Sequence, residues 1–339
     1  MGLKHLALAA VAAIGAMTAL PASAQEDFFA GKQIELILPS EAGGSYGIYG
    51  LLLANHLPRH IPGNPAVVPS YMAGAGGMRA SNYAYNVAAK DGLAMYMIHQ
   101  NTATQQLLAP DQAQYDAAQM IPLAVISSMN SVMAVRRDLG IESVADIANQ
   151  QVVTGSTGRG SYQFIVPTLL NEFLGTQFNI VTTYTGTSET MLAMERGEIG
   201  AMMTSLISLQ ESRPDWLGED GLGKVILQMG ESPDPALPDV PMLSSLAQDD
   251  EQAAIFRFLS ISNAMARSVV LPPGVPEDRV AILRKAVEDT LADPEFIAAA
   301  EELGIPLVSA SADDLGQIIA DTLATPADVV TQTQQYITE

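Results

Sequence analysis

The 339-residue sequence predicts an α/β fold with mainly parallel sheets, divided between two domains. Three observations carry that expectation. A short apolar strand, a glycine-rich turn and a helix-like stretch follow one another repeatedly along the chain. Such alternation lays parallel strands side by side with helices over them. The length left after the N-terminal segment is better served by two cores than by one. No exact repeat or low-complexity tract is present, which sets solenoids aside.

The first segment is expected to stand outside the fold. Lys4 and His5 give a basic start, residues 6–20 an apolar run, and Ala22-Ser23-Ala24 the small residues of a cleavage site. The run of 15 residues falls short of the ~20 that span a bilayer, so residues 1–24 are expected to be a cleaved export signal. No cysteine follows it, which removes the thiol that lipidation needs. Later apolar runs are soon broken by charge, Pro or Gly, and no stable membrane insertion is expected.

Three strand–turn–helix units then follow. Residues 34–38 lead through Pro39-Ser40-Glu41-Ala42-Gly43-Gly44-Ser45 to a helical stretch from Ile48 toward His56. Residues 67–72 lead through Ala73-Gly74-Ala75-Gly76-Gly77 to a helix containing Asn82 and Tyr85. Residues 152–154 lead through Gly155-Ser156-Thr157-Gly158-Arg159-Gly160-Ser161 to a helix over 164–173. Toward the C-terminus, Pro276, Glu277 and Asp278 read as a helix first turn, where a missing N–H is harmless and acids suit the dipole. Val280, Leu283, Val287 and Leu291 form the packing stripe of that helix, and Ala292-Asp293-Pro294 ends it. Ser311-Ala312-Asp313-Asp314 reads as the capped start of another.

Composition narrows the partners. Cleavage removes one Lys and no acid, taking the net charge from −21 to −22. A chain so acidic repels nucleic acid and anionic lipid. With no cysteine, the fold must be held by its cores alone.

Each glycine turn opens a helix whose first N–H groups have no intrahelical partner, and glycine lets backbone approach a ligand closely. An anion satisfies such a site. Local dipoles act at contact distance, whereas surface acids are screened beyond about 8 Å. None of the loops reads G-x-G-x-x-G with a placed acid, or G-x-x-x-x-G-K, so no phosphate cofactor is expected. Gly43-Gly44-Ser45-Tyr46-Gly47 does match G-x-S-x-G after a strand, the setting of a hydrolase nucleophile. A triad there needs a later histidine. His56 and His60 follow on the same helix, His99 is only 54 positions beyond Ser45, and no histidine occurs after it. That order argues against a hydrolase. His56 and His60 have metal-ligand spacing but no evident third ligand, so no metal is expected.

The residues at 34–47, the turn at 73–77 and Lys90-Asp91-Gly92 resemble the first half of the tripartite tricarboxylate transporter substrate-binding receptors, also called the Bug family. The loop at 155–161, Tyr184-Thr185-Gly186 with the helix at 191–199, Leu237-Pro238-Asp239-Val240-Pro241 and Leu271-Pro272-Pro273-Gly274-Val275-Pro276 are similar to its later landmarks. The resemblance implies a two-lobed, type II-like periplasmic binding protein with a hinge. Residues 25–129 and 231–339 would form the first lobe and 130–230 the second. It further implies a monomer, confined to the periplasm, that binds a small organic carboxylate without cofactor or catalysis and delivers it to integral membrane transporter subunits. By the same resemblance Ser45, Tyr46, Gly47, Ala73, Gly74, Ala75, Gly76 and Gly77 grip a carboxylate. Ser156, Thr157, Gly158, Arg159, Gly160, Ser161, Tyr184 and Thr204 face it from the second lobe.

Two positions depart from the family pattern. Gly47 stands where many relatives carry Asp, and Phe164 where many carry His. Arg79 and Arg159 flank glycine loops in a chain poor in bases, and either could pair with a ligand carboxylate or be a solvated surface residue. A periplasmic serine hydrolase using Ser45 and a receptor reporting to a membrane sensor are the rival readings.

Overall fold

The computed structural model describes residues 28–218 and 220–338, and the expected export signal lies outside them. Two five-stranded sheets organise the described residues. The chain builds β1 (Gln33–Leu38), β2 (Ala66–Tyr71), β3 (Ala94–Ile98) and β4 (Ile121–Ser127), then crosses to β5 (Ser131–Arg136), β6 (Val152–Gly155), β7 (Phe178–Val181), β8 (Ala201–Ser205) and β9 (Gly223–Met229). It returns with β10 (Arg267–Leu271), which inserts into the first sheet. The sheet orders are β2-β1-β3-β10-β4 and β7-β6-β8-β5-β9.

In each sheet four strands run one way and one runs against them. β10 is antiparallel to β3 and β4, and β5 to β8 and β9, while the other pairings are parallel. The reversed strand is in both cases the one that follows a crossing from the other sheet. Strands β3, β8 and β10 are buried at every position, as expected of central strands covered on both faces.

The helices begin where the glycine turns end. They are α1 (Ser45–His56), α2 (Met78–Asn86), α3 (Thr102–Leu108), α4 (Tyr162–Leu174), α5 (Thr187–Glu195), α6 (Leu206–Ser212), α7 (Asp250–Ser260), α8 (Glu277–Ala292), α9 (Pro294–Glu302), α10 (Ala312–Leu323) and α11 (Ala327–Thr338). Helix α1 starts three residues earlier than the periodicity suggests, because Gly44 caps it and its carbonyl accepts from Gly47 N–H at 2.8 Å. Ser45, Tyr46 and Gly47 therefore lie in a helical first turn and not in a loop. The C-terminal helices start as the sequence suggests. Pro276 precedes α8, whose Leu283 and Val287 are buried. Ser311 and Asp314 form a reciprocal capping box at α10.

Alternation along the strands divides each core in two. Leu36 and Leu38 pack with Tyr49, Leu53, Val287 and Phe296 on one face of the first sheet, while Ile37 joins Tyr96, Ile98 and Leu315 on the other. Met133 and Val135 point to one side of the second sheet, and Val132 and Ala134 to the other. Helices α7 and α11 lie in the 231–339 stretch, yet Ile255, Phe256 and Val329 bury their side chains in the second sheet's core. Their apolar faces match Phe173 and Leu169 of α4 better than solvent. Among the described residues no helix is long and apolar enough to cross a membrane.

Candidate functional site

Both sheets turn the same edge toward one cleft, the edge from which the turns before α1, α2, α4 and α5 emerge. Counting its open mouth, the cleft holds about 650 Å³. The first sheet lines it with Ser45 and Tyr46 of α1, Gly74, Gly76 and Gly77, His99 and Gln100 after β3, and Arg267 at the start of β10. The second sheet answers with Thr157 and Ser161 before α4, Tyr162 and Gln163 in its first turn, residues 185–187 at the start of α5, and Thr204, Ser205 and Ser208. Pro39, Ser40 and Glu41 stand at the mouth.

Of the residues named from sequence, Ser45, Tyr46, Gly74, Gly76, Gly77, Thr157, Ser161 and Thr204 line this cleft. Gly47, Ala73, Ala75, Ser156, Gly158, Arg159, Gly160 and Tyr184 do not. Gly47 cannot carry a side chain, because a Cβ there would sit 2.1 Å from the Ala42 carbonyl oxygen. An Asp at this position is incompatible with the backbone of the turn. Ser156 instead braces its own loop, its hydroxyl lying 3.0 Å from that of Ser161. Gly160 accepts from Gln105 Nε2 at 2.8 Å, and Tyr184 packs its ring against Gly155. Arg79 and Arg159 are both exposed, and Arg159 lies over the Phe164 ring, 5.2 Å from its centroid.

The cation that does line the cleft is Arg267, only 2% exposed. Its Nη1 donates to the Ala266 carbonyl at 2.6 Å and lies 3.5 Å from Gln100 Oε1. Its Nη2 donates to the Ser45 hydroxyl, and its Cζ lies 3.8 Å from the centroid of the Tyr46 ring. Tyr46 in turn stacks on His99 with ring centroids 5.3 Å apart. Burial holds His99 down to about 3, with the charge of Arg267 acting in the same sense, so the ring is neutral. Its Nδ1 accepts from Asn101 N–H at 3.2 Å, which leaves the proton on Nε2. Burial pushes Tyr162 up to about 12 and raises Tyr46 despite the opposing charge of Arg267. Both phenols stay protonated.

Two buried polar atoms of the lining, Thr204 Oγ1 and Arg267 Nε, have no protein partner. The chain also touches itself across the cleft. Ser45 Oγ lies 3.4 Å from Ser205 Oγ, Gln105 Nε2 bridges the carbonyls of Gly76 and Gly160, and Glu41 Oε1 accepts from Ser188 N–H at 3.1 Å.

The G-x-S-x-G match has no catalytic geometry behind it. The partners of Ser45 Oγ are Arg267 and Ser205. His56 contacts Arg59, His60 bonds Asp293 at 2.9 Å, and His99 is engaged with Asn101 and Tyr46. Among the described residues no group of three or more His, Cys, Asp or Glu is placed to hold a metal.

Sequence reasoning missed Arg267, His99 as a wall of the site, Gln100, Glu41 and Ser205. One signal for Arg267 was present: Arg267-Ser268-Val269-Val270-Leu271 reads as a buried strand that opens on a charge, and a charge is costly in such a place unless something answers it.

A family model described as the tripartite tricarboxylate transporter family receptor matches residues 54–334. No curated protein matches the sequence. Among solved structures, the periplasmic binding protein BugD is similar with a TM-score of 0.73 and 18% identity, over 89% of this chain and 98% of its own. MatC from Rhodopseudomonas palustris with bound malate is similar at 0.68 and 19%, over 88% and 99%. A further R. palustris protein with adipate gives 0.70 and 20%, over 90% and 98%. At these identities the likeness to solved structures is one of fold: two mixed sheets flanked by helices about a cleft.

Proposed function

The chain belongs to the tripartite tricarboxylate transporter receptor family, and from that premise we propose that it captures a small organic carboxylate in the cleft and delivers it to integral membrane transporter subunits. Family membership makes it a solute-binding protein and not an enzyme. The observation that carries the choice of ligand is the chemistry of the lining: helix first turns and hydroxyls from both sheets converge around a buried arginine, and the acid of the lining, Glu41, stands at the mouth with its carboxylate engaged by Ser188. Helix N-termini and a guanidinium both favour an anion.

In this reading Ser45, Tyr46, Gly76 and Gly77 hold the ligand from the first lobe, and Thr157, Ser161 and Thr204 from the second. The lobes divide near residues 130 and 231, with α7 and α11 moving with the second core. Closure is a hinge motion, and affinity comes from contacts made in the closed state. The protein works as a monomer in the periplasm, its residues 1–24 serving as the export signal. The similar structures holding malate and adipate make these two the first ligands to try.

The test is thermal melting of the mature chain against mono-, di- and tricarboxylates, neutral sugars and metal ions. A ligand at about 100 times its dissociation constant adds ~2.7 kcal/mol of stability. A melting shift with one or more carboxylates is expected. Shifts confined to sugars or metals would refute the assignment.

A further inference from the structure

We propose that Arg267 is the counter-ion for an anionic group of the ligand, so that the cleft selects by charge and not by backbone amides alone. The inference rests on the carboxylate-binding reading of the same cleft. The guanidinium is buried at the head of β10, a strand with no exposed residue. Its protein partners are all neutral: the Ser45 hydroxyl, the Ala266 carbonyl, the Gln100 side-chain oxygen and the Tyr46 ring. None of the ion pairs among the described residues includes Arg267. Nε has no partner at all.

A charge taken out of water without an opposite partner destabilises its own fold, and a neighbouring aromatic face offsets only part of that. The guanidinium nevertheless lines the cleft at the first turn of α1, where Ser45 and Tyr46 present the positive end of the helix. An anion arriving there meets a dipole and a full charge together. The planar fork of arginine suits the two oxygens of a carboxylate, and the unpartnered Nε–H is a donor that such a fork uses.

The competing role for Arg267 is structural, as a pin holding Ser45, Ala266 and Gln100 in place. The two roles differ in sign for the empty protein. A pin stabilises it, whereas a counter-ion awaiting its partner does not. The experiment melts wild type, R267M and R267K without ligand and titrates each by calorimetry with succinate, malate and adipate, with succinamide as the neutral counterpart. Expected are binding of at least one acid but not of succinamide by wild type, and an unliganded R267M at least as stable as wild type. R267M should bind that acid about 100-fold more weakly, and R267K, which keeps the charge and loses the fork, should fall between. If R267M binds the acid with unchanged affinity, or if both variants melt well below wild type when empty, the assignment of Arg267 is overturned and the carboxylate reading stands. If wild type binds none of these acids and no mono-, di- or tricarboxylate shifts its melting, the carboxylate reading falls and this inference with it.

Discussion

The carboxylate of Glu41 accepts the backbone N–H of Ser188 at 3.1 Å, which ties the turn after β1 to the first turn of α5 on the opposite sheet. Gly186 makes this possible, because a Cβ there would lie 2.2 Å from the Glu41 carboxylate. The contact is exposed and spans the mouth of the cleft, so it favours the closed arrangement modestly, as a carboxylate at a helix N-terminus does. Glu41→Gln should raise the apparent dissociation constant about two- to five-fold and increase the radius of gyration of the unliganded protein in solution scattering. Unchanged affinity and scattering would show that the contact does not bear on closure.

His99 makes stability depend on pH in a defined window. Burial first, and the charge of Arg267 second, hold it at about 3, against about 6.5 in an unfolded chain. Between these values the unfolded chain takes up a proton that the folded chain refuses. The contribution is therefore fully present above about pH 6.5 and declines as the pH falls toward 3. The slope approaches about 1.4 kcal/mol per pH unit, or roughly 2 kcal/mol lost by pH 5. Urea unfolding of wild type and His99→Gln at pH 7, 6 and 5 checks this. The variant should lose less stability on acidification, and parallel curves would exclude His99 as the cause.

What was legible in the sequence was local. The turns at 73–77 and 155–161 and the caps at Pro276 and Ser311 depend on neighbours within a few residues, and they stand where the pattern puts them. Arg267 was not legible as part of the site, because its relation to Ser45 spans 222 positions. Only the insertion of β10 between β3 and β4, with Ser268 paired to Ile98 and Arg267 to Ser127, brings it to the edge where the turns converge. Arg79 and Arg159 are adjacent to glycine turns, yet adjacency along the chain says nothing of direction. Both point to solvent. Gly47 looked like a lost acid, whereas the near contact with Ala42 leaves no space for one.

Gly77 tests whether the second glycine turn is a fixed part of the cleft wall. Its φ is +94°, and an added Cβ would lie 2.5 Å from His99 Cγ, itself stacked on Tyr46. Gly77→Ala combines backbone strain with overpacking and should cost about 2–4 kcal/mol. Gly140, at φ +67° with nothing within 4 Å of an added Cβ, isolates the strain. Gly140→Ala should cost about 1–2 kcal/mol. Urea midpoints at constant m-value read both costs. Equal losses would mean that His99 yields freely and that the wall is soft.

Gln105 separates closure from recognition. One side-chain nitrogen donates to Gly76 at 3.0 Å and to Gly160 at 2.8 Å, joining a glycine turn of each sheet beside the cleft. Gln105 does not line the cleft, so it favours the arrangement in which the sheets meet without touching what lies between them. Gln105→Met keeps the volume and removes both hydrogen bonds, which are worth about 0.5–1.5 kcal/mol each. Only the bond to Gly160 joins the two lobes, so its loss alone falls on the closed state, and every ligand should weaken by the same factor, about two- to ten-fold, whatever its charge. Arg267 substitutions should instead weaken ligands according to the anionic group they present. Calorimetric titration of Gln105→Met with the acids that bind wild type decides the matter. A uniform factor supports closure through Gln105. A factor that varies from acid to acid would mean that this side chain helps to read the ligand itself.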